Sequence, residues 1–399
     1  MTKLRAKLVV PMGQPPIEDG AVAIEGDKIV AIGPASEVTG DVRDLGEVVL
    51  APGLINAHCH LDYTNLAGQV PYRGSFIDWI NALVALKQRQ SESQYVGAVK
   101  AGLEQLRKSG TTTVVNIECV REVIDQVASS PVRVLWCLEL IDFKQTTPAE
   151  HLVEEALAFA EKNADRQFGL SPHSPYTASA ELYRLASRWA REKQWLLTTH
   201  LAESEEEEDM FRRGTGHMYD TLRRAGRDMS DCKRLGPVQL LHEMGVFSPS
   251  CLAAHFNCVT PADVKLFAQT GAHVVHCARS HRFFHRPTAL LETLMHEGIN
   301  VCLGTDSCAS NDRLDMFAEM QELAHAFPRW SAEEILTLAT LNGAKALNRA
   351  GKLGTLAAGA SADLIAVPLS GPVVDPYEAV VFAEAPVSFV MIEGKVVLE

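Results

Sequence analysis

No two of the nine cysteines in this 399-residue chain are spaced Cys-x-x-Cys, and they are odd in number and scattered, which argues against a disulfide framework or a cysteine-rich structural zinc site. They read as reduced, mostly buried thiols. No apolar run approaches the ~18 residues needed to span a bilayer, and Met1 to Met12 lacks the apolar core and cleavage site of a secretory signal. The expectation is a cytoplasmic protein with no membrane partner. Positive charge is also scarce: 37 Lys and Arg stand against 50 Asp and Glu, a formal charge of -13, so binding to a nucleic acid polymer is disfavoured. Gly-x-Gly-x-x-Gly, the phosphate-binding Gly-Lys-Ser/Thr loop and Gly-x-Ser-x-Gly are all missing, which leaves dinucleotide, nucleoside-triphosphate and serine-hydrolase chemistry without support. Pro-Cys-x-x-Cys, needed by the small zinc deaminases, is missing too.

What is present is ordinary globular material, 47% apolar and 22% charged, long enough for one large domain and a small one. Lys7 to Val10, Ala21 to Glu25, Lys28 to Ile32 and Val48 to Leu50 read as strands between Gly and Asp turn signals. At the other end Asp363 to Val367, Phe389 to Ile392 and Lys395 to Leu398 do the same, with Glu393-Gly394 as a hairpin turn. The two ends are expected to pair into a small β-sandwich, residues 1–50 with 358–399. Between them, residues 51–357 alternate short apolar runs with amphipathic segments such as Ser93 to Lys108 and Ala178 to Lys193, the pattern of βα units. Eight runs end or begin near His60, Glu118, Ile141, His173, His200, Cys258, His276 and Thr305. The fold class is therefore α/β, a (β/α)8 TIM barrel.

Barrel chemistry sits where strands end, and there the unusual polar residues fall. His58 and His60 close the first run, His173 the fourth, His200 the fifth; His255 lies in the sixth and Asp306 follows the eighth. A spacing of two on an extended strand puts the imidazoles of His58 and His60 on one face, about 7 Å apart along the backbone. Each feature has an ordinary structural reading: His-x-His as core histidines, Glu203 as a charge at a helix start, Asp306 as an N-cap. Their conjunction at one mouth points instead to a cation. A nitrogen and oxygen donor set suits zinc or ferrous iron better than magnesium or calcium. The acidic run Glu205 to Asp209 reads as a solvated helix face and is assigned no function.

Pro52-Gly53-Leu54-Ile55-Asn56-Ala57-His58-Cys59-His60, Thr199-His200-Leu201-Ala202-Glu203 and Gly304-Thr305-Asp306-Ser307 resemble the amidohydrolase superfamily. They look most like its branch of cytosine, guanine, S-adenosylhomocysteine, methylthioadenosine and aminofutalosine deaminases and chlorotriazine hydrolases. The resemblance implies one divalent ion held by His58, His60, His200 and Asp306. It implies Glu203 as proton shuttle, with His255 and Asp306 orienting the attacking water. Binuclear relatives place a carbamylated Lys at the end of the fourth strand; here that run ends at His173, and Lys144 follows the third. The function implied is hydrolytic deamination of an aminated heteroaromatic ring of adenosine-like type.

His173, Trp79, Arg279 and Ser280 are the candidate substrate contacts, with His281 beside them. Ala278 stands where the family more usually has Pro. Hydrolysis of a cyclic amide or a carbon–halogen bond by the same activated water is the alternative chemistry, and a non-catalytic barrel scaffold is the alternative class. A small molecule is the expected partner, and a homo-oligomer is compatible with this reading.

Overall fold

Two sheets take up every strand of the described residues, 1–127, 130–144 and 146–399 of the computed structural model. The first five strands are β1 (Thr2–Val9), β2 (Ile17–Glu25), β3 (Lys28–Pro34), β4 (Asp41–Asp44) and β5 (Val48–Pro52). The last three are β15 (Leu364–Pro368), β16 (Phe389–Ile392) and β17 (Lys395–Leu398). These eight make one sheet in the order β17-β16-β15-β5-β1-β2-β3, with β4 beside β1. The link between the chain ends is antiparallel pairing of β5 with β15, Val48 opposite Pro368 through Pro52 opposite Leu364. The hairpin between β16 and β17 turns on Glu393 and Gly394, both at positive φ (49° and 73°), as a two-residue turn in a twisted hairpin requires. Asp41–Asp44 is a strand the sequence reading missed; it is mostly polar and exposed, without alternating apolar residues to betray it.

The other sheet is a closed barrel. Its strands are β6 (Leu54–His60), β7 (Thr111–Glu118), β8 (Arg133–Leu140), β9 (Gln167–Pro172), β10 (Leu196–Leu201), β11 (Cys251–His255), β12 (His273–His276), β13 (Asn300–Leu303) and β14 (Asp306–Ser307). Neighbours pair in parallel from β6 round to β13. The last run is broken at Gly304-Thr305, and its distal piece, β14, returns to β6 with Asp306 opposite Cys59 and Ser307 opposite His60. That pairing closes the ring of eight runs. The first run expected from sequence, Val48 to His60, is in fact two strands. The chain leaves the terminal sheet after Pro52 and enters the barrel at Leu54. Gly53 makes the transition where a Cβ would lie 2.2 Å from the side chain of Thr112.

Helices cover the barrel where the periodicity places them. Glu92–Lys108 starts on a capping box made by Ser91 and Gln94. Ala180–Lys193 starts on the Ser179 hydroxyl and ends with Gln194 in the left-handed region. Ile55, Ala57, Val115, Ile117, Leu135, Cys137, Leu196, Leu252, Val275 and Cys302 fill the barrel interior. The mouth has its own roof. Helix Phe76–Lys87 packs Phe76, Ile77, Trp79 and Leu83 against Met210, Phe211, Met218 and Phe284.

At the opposite end of the barrel Arg133, at the start of β8, bonds Asp363 of the terminal segment, Glu393 at 2.9 Å and Thr113 at 2.9 Å. Asp363 is nearly fully buried and also accepts from the Glu393 amide at 2.8 Å. Removing one partner strands the other charge, which costs about 3–5 kcal/mol. Arg133→Met should therefore lower stability to denaturant by roughly that amount while leaving bound metal per chain unchanged. Loss of metal at unchanged stability would show that this pair serves the mouth instead.

Candidate metal centre

Five polar side chains meet at the C-terminal mouth of the barrel. His58, His200, His255 and Asp306 each offer a donor atom within 4.8 Å of the others, and all four are buried. His60 completes the group, with Nε2 3.2 Å from His200 Nε2 and 3.9 Å from Asp306 Oδ1. Its ring lies parallel to that of Tyr63 at 5.2 Å. His58 Nε2 is 3.7 Å from Asp306 Oδ1.

The donors are left free for a cation. Among the described residues, neither ring nitrogen of His58 nor Nε2 of His255 has a hydrogen-bond partner although both side chains are buried, an arrangement that costs free energy unless something accepts those lone pairs. His200 Nδ1 bonds the carbonyl of His173 at 2.9 Å, which leaves Nε2 to face the cluster. Burial, reinforced by neighbouring imidazoles, depresses the pKa of His60 and His255 well below the ordinary value and brings His200 down to about 4. Neutral imidazole is the ligating form. Three imidazoles and a carboxylate around one point fit a divalent ion of zinc or iron type.

Closing the ring imposes the cluster. Asn56 donates to Thr305 Oγ1 at 2.8 Å and accepts from the Thr305 amide at 3.1 Å, stapling the break in the last run to β6. A Cβ at Gly304 would come within 2.8 Å of the Cβ, N and O of His58, so only glycine allows this approach. Asp306 Oδ2 accepts from the hydroxyls of Ser280 and Ser310, both at 2.7 Å. Ala202, His255, Phe256 and Asp306 all lie at positive φ, between 50° and 73°. Non-glycine residues there cost about 1–3 kcal/mol each and concentrate where a site over-determines the backbone.

Glu203 is not a helix cap. The cap of the following helix, Glu205–Arg213, is Ser204, whose hydroxyl accepts from the Glu207 amide at 3.1 Å. Glu203 is instead buried, with Oε1 3.8 Å from His255 Nε2. Burial, with the charge of Asp306, raises its pKa well above the ordinary carboxyl value. Nor does Asp306 cap a helix; Asp315 does that for Met316–Ala326.

The acidic run 205–209 is not a simple solvated face. Glu206 accepts from the amides of Phe76 (2.5 Å) and Ile77 (3.3 Å), fixing the start of the roof helix. Glu207 is fully buried and accepts from the amides of Ala202 (3.2 Å) and Glu203 (2.8 Å). Consecutive helical side chains point in different directions, and here two of those directions lead inward.

Of the expected substrate contacts, His173 is at the mouth, its ring 4.7 Å from that of His200 and its Nδ1 2.6 Å from Thr177 Oγ1. Ser280 belongs to the carboxylate of Asp306, as above, and its hydroxyl is engaged there. Arg279 pairs with Asp312 at 2.6 Å, and its amide donates to Glu319. It lines a cavity of about 540 Å³ with Tyr72, Ser310 and Asn311. Trp79 is part of the roof: its indole N–H donates to the Val70 carbonyl at 3.0 Å and its ring packs on Phe76 and Phe284. His281 bonds Asn257 and the Pro287 carbonyl. Lys144 is exposed, beside Phe143. Sequence reasoning gave no role to Asn56, Ser310 or Glu207, each of which acts through hydrogen bonds to residues remote in sequence or on an adjacent turn.

Residues 49–397 match the amidohydrolase family, and residues 20–40 match an imidazolonepropionase-like composite domain of bacteria. The chain is 32% identical to a 5-methylthioadenosine/S-adenosylhomocysteine deaminase of Syntrophobacter fumaroxidans, over 96% of this chain and 89% of that one. The aminofutalosine deaminase of Helicobacter pylori, solved with methylthio-coformycin, superposes with a TM-score of 0.89 at 22% identity, covering 100% of both chains. An adenosine deaminase of Xanthomonas campestris with bound zinc superposes with a TM-score of 0.85 at 24% identity, covering 100% of this chain and 92% of that one.

The tight passage at Gly304 gives a direct test of how the centre is built. Gly304→Ala should displace His58 and weaken divalent-metal affinity by about 10- to 100-fold, the range for disturbed supporting contacts, as read by competition with a chromogenic chelator. Unchanged affinity would mean that His58 tolerates displacement.

Proposed function

The chain belongs to the amidohydrolase family, and from that premise we propose that it is a hydrolytic deaminase that removes the exocyclic amine of an adenosine-like heteroaromatic ring with one divalent ion. The observation that carries this is the set of buried ring nitrogens of His58 and His255, unpartnered among the described residues and close to Asp306, with the protonatable Glu203 beside them. His58, His60, His200 and Asp306 would hold the ion, and zinc suits that donor set. When bound, such an ion supplies the Lewis acidity that makes water a nucleophile near neutral pH.

The remaining work falls to the chain itself. His255 Nε2 and Asp306 orient the attacking water toward the amino-bearing carbon. Glu203, kept protonated by burial, donates to the adjacent ring nitrogen as the carbon–oxygen bond forms. It then takes one proton from the attacking water and passes it to the departing amine, and it recovers the second from the added hydroxyl as the carbonyl forms. Carbon–nitrogen cleavage leaves a keto product and ammonia, and Glu203 ends as it began. Glu207, by holding the amides of Ala202 and Glu203, fixes where that carboxyl can reach. The position of His173, its ring against that of His200, supports it as a substrate contact.

Residues 51–357 act in this reading as the catalytic domain and 1–50 with 358–399 as a small β-sandwich. A separate apolar cluster of Leu4, Val22, Ile24, Ile29, Leu50, Leu364 and Phe389 on one side of the terminal sheet supports that division.

An ammonia-release screen of aminopurine nucleosides, pterins and aminopyrimidines, on zinc- and iron-loaded protein, tests the proposal. Ammonia from the adenosine-like members is expected. Ring opening without ammonia from any member would replace deamination with the family's other hydrolytic chemistry. Glu203→Gln should keep full metal and lose at least about 100-fold in turnover, the scale for a positioned acid–base group. Glu207→Gln presents an amide N–H₂ to one of two backbone donors, and should keep metal while lowering turnover by about 10-fold with little change in KM. A near-normal rate in Glu203→Gln would remove that residue from the proton path.

A further inference from the structure

Side chains alternate along β8. Leu135 and Cys137 enter the barrel interior, while Trp136, Leu138 and Leu140 face the surrounding helices. Glu139 is next in the inward row, so its carboxyl stands over the interior at the end of the strand that opens on the mouth. Its register partner on β9 is Ser171, which is inward by the same logic because Leu170 belongs to the outer core. Two polar groups thus share one patch of the rim. The candidate ligands and His255 occupy β6, β10, β11 and β14, and the side of β7, β8 and β9 carries none of them.

Neither group is satisfied among the described residues. The Ser171 hydroxyl is wholly buried and unpartnered, and no hydrogen bond contributes to the state of the Glu139 carboxyl, which burial pushes up to about 7. The cation that acts on Glu139, Lys87, is already engaged. Lys87 reaches down from the roof helix to bond the Tyr63 hydroxyl, Cys119 Sγ at 3.1 Å and, at 3.7 Å, Asp62. It acts on Glu139 only through space. The Ser171 hydroxyl, buried and unpaired, is costly unless an incoming group supplies the missing hydrogen bond, and the half-buried Glu139 carboxyl beside it offers acceptors to the same group.

We propose that Glu139, with Ser171 beside it, forms the subsite that accepts hydrogen bonds from an O–H or N–H donor of the substrate at a distance from the amine that leaves. This deepens the deaminase reading and rests on it. The subsite selects for hydroxyl or ammonium groups and against a carboxylate in the same place, because a second anion would meet an unpaired acceptor.

The test uses full-length metal-loaded protein with adenosine, its 2′-deoxy and 3′-deoxy forms, S-adenosylhomocysteine and its analogue lacking the amino-acid amine. Glu139→Gln should keep wild-type metal content and melting temperature. It should lose about 10-fold or more in kcat/KM on the best substrate, mainly through KM. The analogue lacking the donor that Glu139 reads should show that loss with wild type and no further loss with the variant. A deoxy form behaving so identifies a sugar hydroxyl, and the des-amino form an ammonium. Ser171→Ala, a smaller perturbation, should shift the same analogue's discrimination in the same direction. If Glu139→Gln stays within about twofold on every substrate the wild type deaminates, or loses equally on all analogues, the subsite is overturned while the deaminase reading stands. If wild type releases ammonia from no member, both fall.

Discussion

The seam at which the barrel closes is the constraint on which the site depends. A strand that ended at Leu303 would leave the ring open beside β6. By breaking at Gly304 and resuming at Asp306, the chain crosses His58 at backbone distance and pairs opposite Cys59 and His60. One register thus brings a carboxylate and two imidazoles to the same point without any flexible loop having to find it. The positive φ of Asp306 is the local strain that accompanies this pairing. Asn56 and Thr305 hold the seam from below through two hydrogen bonds that no apolar pair could supply.

Around that seam, nearly every group that could compete for the donor atoms is occupied elsewhere. The far oxygen of Asp306 is held by two serine hydroxyls and the far nitrogen of His200 by a backbone carbonyl. What remains unpaired points inward. Preorganisation of this kind is established as the chain folds, so little rearrangement is required when a ligand arrives.

Much of this was readable from the sequence. Strand-end histidines and Asp306 announce themselves because a polar residue closing an apolar run is costly without a purpose, and the eight runs set the barrel. The terminal strands followed from alternation, save Asp41–Asp44, which has none. Side chains whose partners are remote were not legible. Ser280 looked like a substrate contact because it follows the seventh apolar run; only the fold reveals that its hydroxyl donates to Asp306. Trp79 looked like a pocket aromatic and is packing for the roof. The run from Glu205 looked solvated because charge density was all that could be read, and the helical rotation that buries Glu207 depends on where Ser204 starts the helix. Glu139 was passed over because one carboxylate inside an apolar strand gives no spacing pattern.

Glu206 and Glu207 are consecutive residues of a single helical turn, yet one grips the cover above the mouth and the other the bend that carries Glu203 below it. The two attachments share a rigid lever. The start of the cover and the bend that carries Glu203 are thereby tied to one another through adjacent carboxylates, so the spacing between them is set by one turn of backbone.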